Sequence, residues 1–413
     1  MRADFRRGGP ISSSSITPRD DRIPVLDGIR GLAIILVLIN NIYPEGAVGS
    51  TLDTMFVHFT DFWWVGVDLF FVLSGFLITG ILADTRDGER YFKNFYARRF
   101  LRIFPLYYLA LFVLLFVIPH LGLANADQLH RLHVQRWYLI TYLANLGTAL
   151  HGDTHFRTNT FWSLAVEEQF YLVWPLFVLW FDWRRLVRIS IGLMAVSFVL
   201  RALWLARGLS NDWVYMLTPF RFDGLLVGAM LALAIRAPNG KEWLRARARM
   251  VWRVCAPLSL LLIAAYEIPR DSRPEVALQV FGYPIIAFAF AALIVLTLDA
   301  APGSRLGRLF GGRTMRFMGK YSYGMYVWHG MIVELLMNNV SWIAIPPLTG
   351  GTRIPYGLLA LVIATALTIA AAFVSYNVWE KPFLSLKRFF RYTRPVDQEG
   401  DARAATVQFA RSP

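Results

Sequence analysis

The sequence predicts an all-α, polytopic integral membrane bundle of about ten transmembrane helices. Three observations predict it. Mostly apolar runs of bilayer-spanning length recur along the 413 residues. The composition is 56% hydrophobic and 15% aromatic, with only 17% charged residues. The basic residues collect on one side of the runs, which is the positive-inside pattern.

The runs fall at 26–43, 62–83, 103–119, 161–181, 187–206, 216–235, 251–268, 278–298, 321–338 and 355–377. With the N-terminus placed in the cytoplasm, 32 of the 42 Lys and Arg lie in the tails and loops of that side. Arg131, Arg136, Arg157, Arg207, Arg270, Arg273 and Arg353 lie on the other side, and Arg30, Arg201 and Arg221 lie within helices. An even number of crossings returns the C-terminus to the cytoplasm. This distribution turns the net charge of +14 away from a nucleic-acid partner and towards anionic membrane lipid.

Residues 1–22 read as a flexible cytoplasmic tail, 23–385 as one membrane domain and 386–413 as a C-terminal cytoplasmic tail. The polar start of the chain has no adjacent apolar core, so the first helix is expected to serve as an uncleaved anchor. Cys255, the only cysteine, excludes an intrachain disulfide and a multi-cysteine metal site. Segment 120–160 is long for an external loop. Its apolar part, 136–150, is short for a span and predicts a re-entrant or interfacial helix; a full crossing would invert every later loop.

Within this apolar frame the polar residues stand out. Glu167 and Glu168 sit side by side in FWSLAVEEQFYLVWPLFVLWF, 161–181. An ionisable group at membrane depth costs at least ~2.5–3.5 kcal/mol on insertion scales, so adjacent carboxylates point to a polar site or to paired arginines. They project about 100° apart on a helix, so at most one readily faces a shared site. Ser163, Glu167 and Tyr171 recur at helical spacing, on one face. Arg30 and Asn41 are eleven residues apart, about 16 Å along a helix and on one face. Asp68 pairs with a buried arginine such as Arg201 or Arg221, or joins Ser163, Tyr171 and Tyr323 in binding substrate. Arg221 and Asp223 are two apart and do not face each other, so each needs a partner elsewhere. Arg98, Arg99 and Arg102 precede the third span, where guanidinium groups suit phosphate or simply mark the cytoplasmic side. His329 lies at mid-depth behind Tyr321, Tyr323 and Tyr326. No metal-ligand spacing, Walker loop, dinucleotide fingerprint or G-x-S-x-G elbow is present.

Together, LDGIRGLA, VDLFFVLSGFLITG, FYARRFLRIFPLYY, FWSLAVEEQFYLVWP, RFDGLLVG, KYSYGMYVWH and EKPF resemble acyltransferase family 3, from about 24 to 385 and in family order. The resemblance implies a bacterial cytoplasmic-membrane enzyme. It implies transfer of an acyl group, acetyl above all, from acyl-CoA to a hydroxyl of a glycan or lipid-linked sugar, without a metal. Some members carry an additional extracytoplasmic hydrolase-like domain, and none is expected here. The family pairs an Arg with a His eleven positions later. Arg30 matches, but Asn41 stands at the His position. Asparagine cannot hold a proton near neutral pH, so either the histidine was replaced by design, or the natural protein is impaired, or Glu167, Glu168 or His329 takes the task. The resemblance also maps Arg98, Arg99 and Arg102 onto the donor's phosphates. A transporter or flippase of sugars or lipids, and a catalytically silent acyl-CoA binder, remain the alternatives.

Overall fold

The computed structural model describes residues 23–43, 50–152, 160–267, 272–344 and 347–392. The expected N-terminal tail, His155 and the end of the chain from 393 lie outside these residues. Among the described residues the chain is all-helical, and the one bridged pair is Thr349 with Thr352.

The longer helices are α1 Pro24–Ile42, α2 Thr51–Asp61, α3 Gly66–Thr85, α4 Tyr91–Phe112, α5 Ala126–Ile140, α6 Ala144–His151, α7 Phe161–Trp180 and α8 Trp183–Ala206. They continue as α9 Asn211–Met216, α10 Phe222–Arg236, α11 Gly240–Glu267, α12 Tyr283–Leu298, α13 Arg305–Gly311, α14 Arg313–Asn339 and α15 Ile354–Ser375. A π turn and a short helix carry α4 on to His120.

Seven helical segments are long and apolar enough to cross a membrane, by length and composition. The chain is an integral membrane protein. The other three expected spans are helical too, but less purely apolar or shorter. The α7 helix carries Glu167, Glu168 and Gln169, α10 has 15 residues, and α14 mixes Arg, Lys and Ser with its aromatics.

Glycine sets the closest seams. A Cβ on Gly75 of α3 would stand 1.9 Å from the Leu225 carbonyl oxygen of α10. One on Gly319 of α14 would stand 1.7 Å from the Asp27 carbonyl oxygen of α1. Backbones this close gain van der Waals contact, which drives helix association where lipid removes the hydrophobic term.

The seams bring intramembrane charges within reach of one another. Arg221 meets Asp68 at 2.9 Å and Arg201 meets Asp223 at 2.5 Å, all four side chains 4% exposed or less. Arg201 also donates to the Phe220 carbonyl at 2.6 Å, and the Arg221 guanidinium lies 3.9 Å from the Tyr283 ring centre. Arg221 and Asp223 therefore do take separate partners. Each ion has an opposite charge, which is what makes it tolerable in a low-dielectric interior.

The α5–α6 hairpin reaches into the bundle. An Asn125–Gln128 capping box starts α5. The turn between the helices holds Tyr142 at φ 56°, a left-handed backbone that a bulky side chain adopts only under tertiary constraint. The constraint is visible. The Tyr142 ring stacks on Tyr107 at 4.1 Å, Tyr107 donates to the Leu139 carbonyl at 2.7 Å, and Gln169 donates to the Tyr142 carbonyl at 3.2 Å. Since Gln169 is near the middle of α7, the hairpin tip packs at the same depth.

Candidate active site

The candidate site is built around the middle of α7. Its aromatic side packs on α3, where Trp162 meets Phe71 at 5.9 Å and Trp174 donates to the Thr79 hydroxyl at 2.8 Å. Its other side meets α4, where Tyr91 and Tyr96 donate to the carbonyls of Pro175 and Leu172 at 3.1 and 2.8 Å. The three polar residues at 167–169 thus fall between two helices and the hairpin tip.

They divide the tasks. Glu167 accepts from the Ser74 hydroxyl at 2.9 Å and from the Tyr171 hydroxyl at 3.0 Å, one bond to each carboxylate oxygen. Gln169 anchors the hairpin through the Tyr142 carbonyl and the Asn145 side chain, and accepts a short bond from Thr218. Glu168 is half-buried, makes no hydrogen bond or ion pair with the described residues, and lines a cavity of about 620 Å³. Arg99 and Tyr171 line the same cavity. The Arg99 guanidinium lies 5.1 Å from the Tyr171 ring centre, close enough for cation–π attraction. Most of the remaining wall is apolar: Phe100, Leu101, Phe104, Leu143, Leu172 and Phe390.

The three clustered arginines fan apart. Arg99 turns into the cavity. Arg98 donates to the carbonyls of Lys387 and Phe390, both at 3.2 Å, and its guanidinium stacks over Tyr392 at 4.6 Å. Arg102 lies within electrostatic range of Glu380, a 4% exposed carboxylate. Asn94 adds a bond to the Arg391 carbonyl at 2.8 Å. Residues 386–392, expected as the start of a tail, are thus docked along α4.

Other expected site residues stand elsewhere. Arg30 pairs with Asp27 at 2.9 Å, with Glu167 inside its electrostatic range. Asn41 donates to the Val37 carbonyl at 2.9 Å and to Asn40 at 3.4 Å, and is not among the residues lining the Arg99 cavity. Ser163 shares a 2.5 Å hydrogen bond with the Tyr326 hydroxyl. Tyr323 donates to the Ile103 carbonyl at 2.7 Å. His329 is fully buried, with Nδ1 2.7 Å from the Tyr326 carbonyl; a carbonyl only accepts, so the neutral ring keeps its proton there. Asp68 is sealed in its pair with Arg221.

Ser74 reads in the sequence as a helix-packing residue, and nothing in its local pattern names Glu167 as its partner. Glu380 reads in the sequence as part of EKPF at the cytoplasmic end of the last helix, and Phe390 carries no local signal, because what recruits both is the return of the chain to α4. Among the described residues no group of three or more His, Cys, Asp or Glu could hold a metal ion.

A bundle of apolar helices enclosing two adjacent carboxylates and a guanidinium defines an integral membrane protein with a polar cluster inside the bundle. The chain belongs to acyltransferase family 3, whose model, described as an acyltransferase domain, matches residues 23–376. It is 28% identical to the peptidoglycan O-acetyltransferase OatA of Listeria monocytogenes over 76% of this chain and 50% of that protein. It is 28% identical to a candidate peptidoglycan O-acetyltransferase of Bacillus subtilis, YrhL, over 91% and 56%. A candidate O-acetyltransferase of Staphylococcus aureus is 27% identical over 87% and 57%. The chain spans about half the length of the curated relatives it matches. No solved structure matches it.

Proposed function

We propose that this chain transfers an acyl group, acetyl in the simplest case, from acyl-CoA to a hydroxyl of a glycan or lipid-linked sugar. The reaction faces the outside of a bacterial cytoplasmic membrane crossed about ten times, with both termini in the cytoplasm. Family membership and the names of the relatives support the chemistry, and peptidoglycan-type glycan is the acceptor class they favour. The positive-inside count supports the orientation.

The observation that carries the reading is that Arg99 and Glu168 line one apolar-walled cavity. Its volume falls in the range of small-molecule sites, which are mostly apolar with a few placed polar groups. The apolar wall suits a donor's acyl and pantetheine arm. Arg99, the one of the three clustered arginines that lines this cavity, suits the donor's phosphates.

The acceptor oxygen attacks the thioester carbonyl. A C–O bond forms, the C–S bond breaks, and the hydroxyl proton passes through a base to the departing thiolate. Asn41 cannot be that base. Glu168, the carboxylate without a hydrogen-bond partner among the described residues, takes the proton. Glu167, held at both oxygens, positions Tyr171 under Arg99, and Arg30 stabilises charge on the donor side. Without an imidazole at position 41, turnover is slow.

A catalytically silent acyl-CoA binder is the second reading, and Asn41 is the residue that favours it. The test is CoA-thiol release from acetyl-CoA by purified protein, with and without an oligosaccharide acceptor. Slow, acceptor-dependent release that Glu168→Gln removes supports transfer. Donor binding with no release under any acceptor makes the protein a silent binder. Neither binding nor release moves it to the transporter class.

A further inference from the structure

A second cavity, of about 490 Å³, opens where α1 ends and where α9 meets the start of the 275–298 helix. Asn40 lines it, and Asn40 is hydrogen-bonded to Asn41 at 3.4 Å. The cavity therefore borders the position at which the family carries its histidine. The reading above gives this cavity no task.

Its chemistry is specific. Among the described residues Asp61, Asp212 and Glu275 line it, and no Lys or Arg does. Arg221, a buried cation behind the Tyr283 ring, is neutralised by Asp68. The described lining is thus acidic, which disfavours an anionic ligand. Trp64 and Tyr283 form an aromatic wall, with ring centres 6.0 Å apart at 83°. Aromatic faces receive the apolar C–H face of a pyranose ring, while amides and carboxylates take its hydroxyls.

Gln279 is the residue that asks for a ligand. It is 6% exposed, lines this cavity, and its Oε1 has no hydrogen-bond partner. Its amide nitrogen donates to Glu275 at 3.3 Å, which fixes which end is oxygen. A buried acceptor left unmet is costly, and what meets it must be a donor such as a hydroxyl. A metal ion is a poor fit, since no group of three or more ligating side chains exists among the described residues.

We infer that this cavity binds an uncharged pyranose unit of the acceptor, with a hydroxyl on Gln279 Oε1 and the ring against Trp64. The inference rests on the acyl-transfer reading for its purpose, though not for its geometry. It excludes phosphorylated and uronic sugars as the bound unit.

The test is calorimetry on the full chain in detergent micelles, with chitotetraose as the neutral probe and tetragalacturonate as the acidic one. Chitotetraose binds and tetragalacturonate does not. Gln279→Met keeps the side-chain volume and removes both polar atoms, and weakens chitotetraose at least tenfold. Asp212→Ala, at an exposed position where packing loss is small, also weakens it, with the melting temperature unchanged. No chitotetraose binding, equal binding of both probes, or unaltered affinity in both variants overturns the inference. Binding that depends on these residues in a protein that never releases CoA sinks the acyl-transfer reading and leaves the cavity standing. Transfer whose acceptor KM ignores both substitutions does the reverse.

Discussion

Glu167 and Glu168 are neighbours in sequence and face different partners. Glu167 is held by hydroxyls at both oxygens, from Ser74 of α3 and Tyr171 of its own helix. Glu168, turned about 100° away, has no bonding partner among the described residues and looks into the cavity that Arg99 enters.

This division predicts opposite phenotypes. Glu168→Gln leaves the melting temperature within a few degrees, since no described bond is lost, and lowers acyl transfer by about 10²–10⁴-fold, the worth of a general base. Glu167→Ala removes two hydrogen bonds to a charged group, each about 1.5–3 kcal/mol, and shows first as lost stability. Thermal melting beside CoA-release kinetics separates the two. Equal stability loss in both variants would return Glu168 to a structural role.

The arginine cluster is expected to divide as well. Arg99→Ala weakens CoA at least tenfold in equilibrium binding, and added salt weakens the unmodified protein in the same direction. Arg98→Ala instead releases the docked segment 386–392, which appears as faster amide exchange or proteolysis there. A CoA dissociation constant that Arg99→Ala leaves unchanged places the phosphates elsewhere.

At position 41 the prediction is a gain. Asn41→His supplies a titratable ring, and acyl transfer rises by about 10²–10⁴-fold at equal donor occupancy. The base works when neutral, so the rate climbs as pH rises through an imidazole pKa near 6.5 and levels above it. An unchanged rate and a flat pH profile would remove position 41 from the chemistry.

The sealed pair of Asp68 and Arg221 has a stability signature. Asp68→Ala strands a buried guanidinium and costs about 3–5 kcal/mol. Replacing both partners with apolar residues of similar volume restores most of that. A double variant no better than the single one assigns the effect to packing around Phe71 and Tyr283 instead of to charge.

Sidedness is testable by cysteine labelling after Cys255→Ser. Arg90→Cys, in an exposed turn, reacts only from the cytoplasm, and His130→Cys, exposed on α5, only from outside. The opposite pattern would invert the topology.

The sequence alone determined the apolar helical bundle, because spans of bilayer length and a one-sided arginine count follow from composition along a single axis. It also singled out 161–181 as the place to look for a site, since two adjacent glutamates are expensive in lipid wherever the helix lies. The separate needs of Arg221 and Asp223 were legible from helical spacing. What only the tertiary structure decided is who meets whom across helices. Ser74 lies 93 residues from Glu167, Asp68 lies 153 from Arg221, and Arg98 lies 292 from Phe390. Side-chain periodicity tells which face of a helix a residue occupies and nothing about which helix covers that face. That choice belongs to the glycine seams, where a missing Cβ at Gly75 and Gly319 lets backbones touch, and to the pairing of charges that cannot stay alone in an apolar interior.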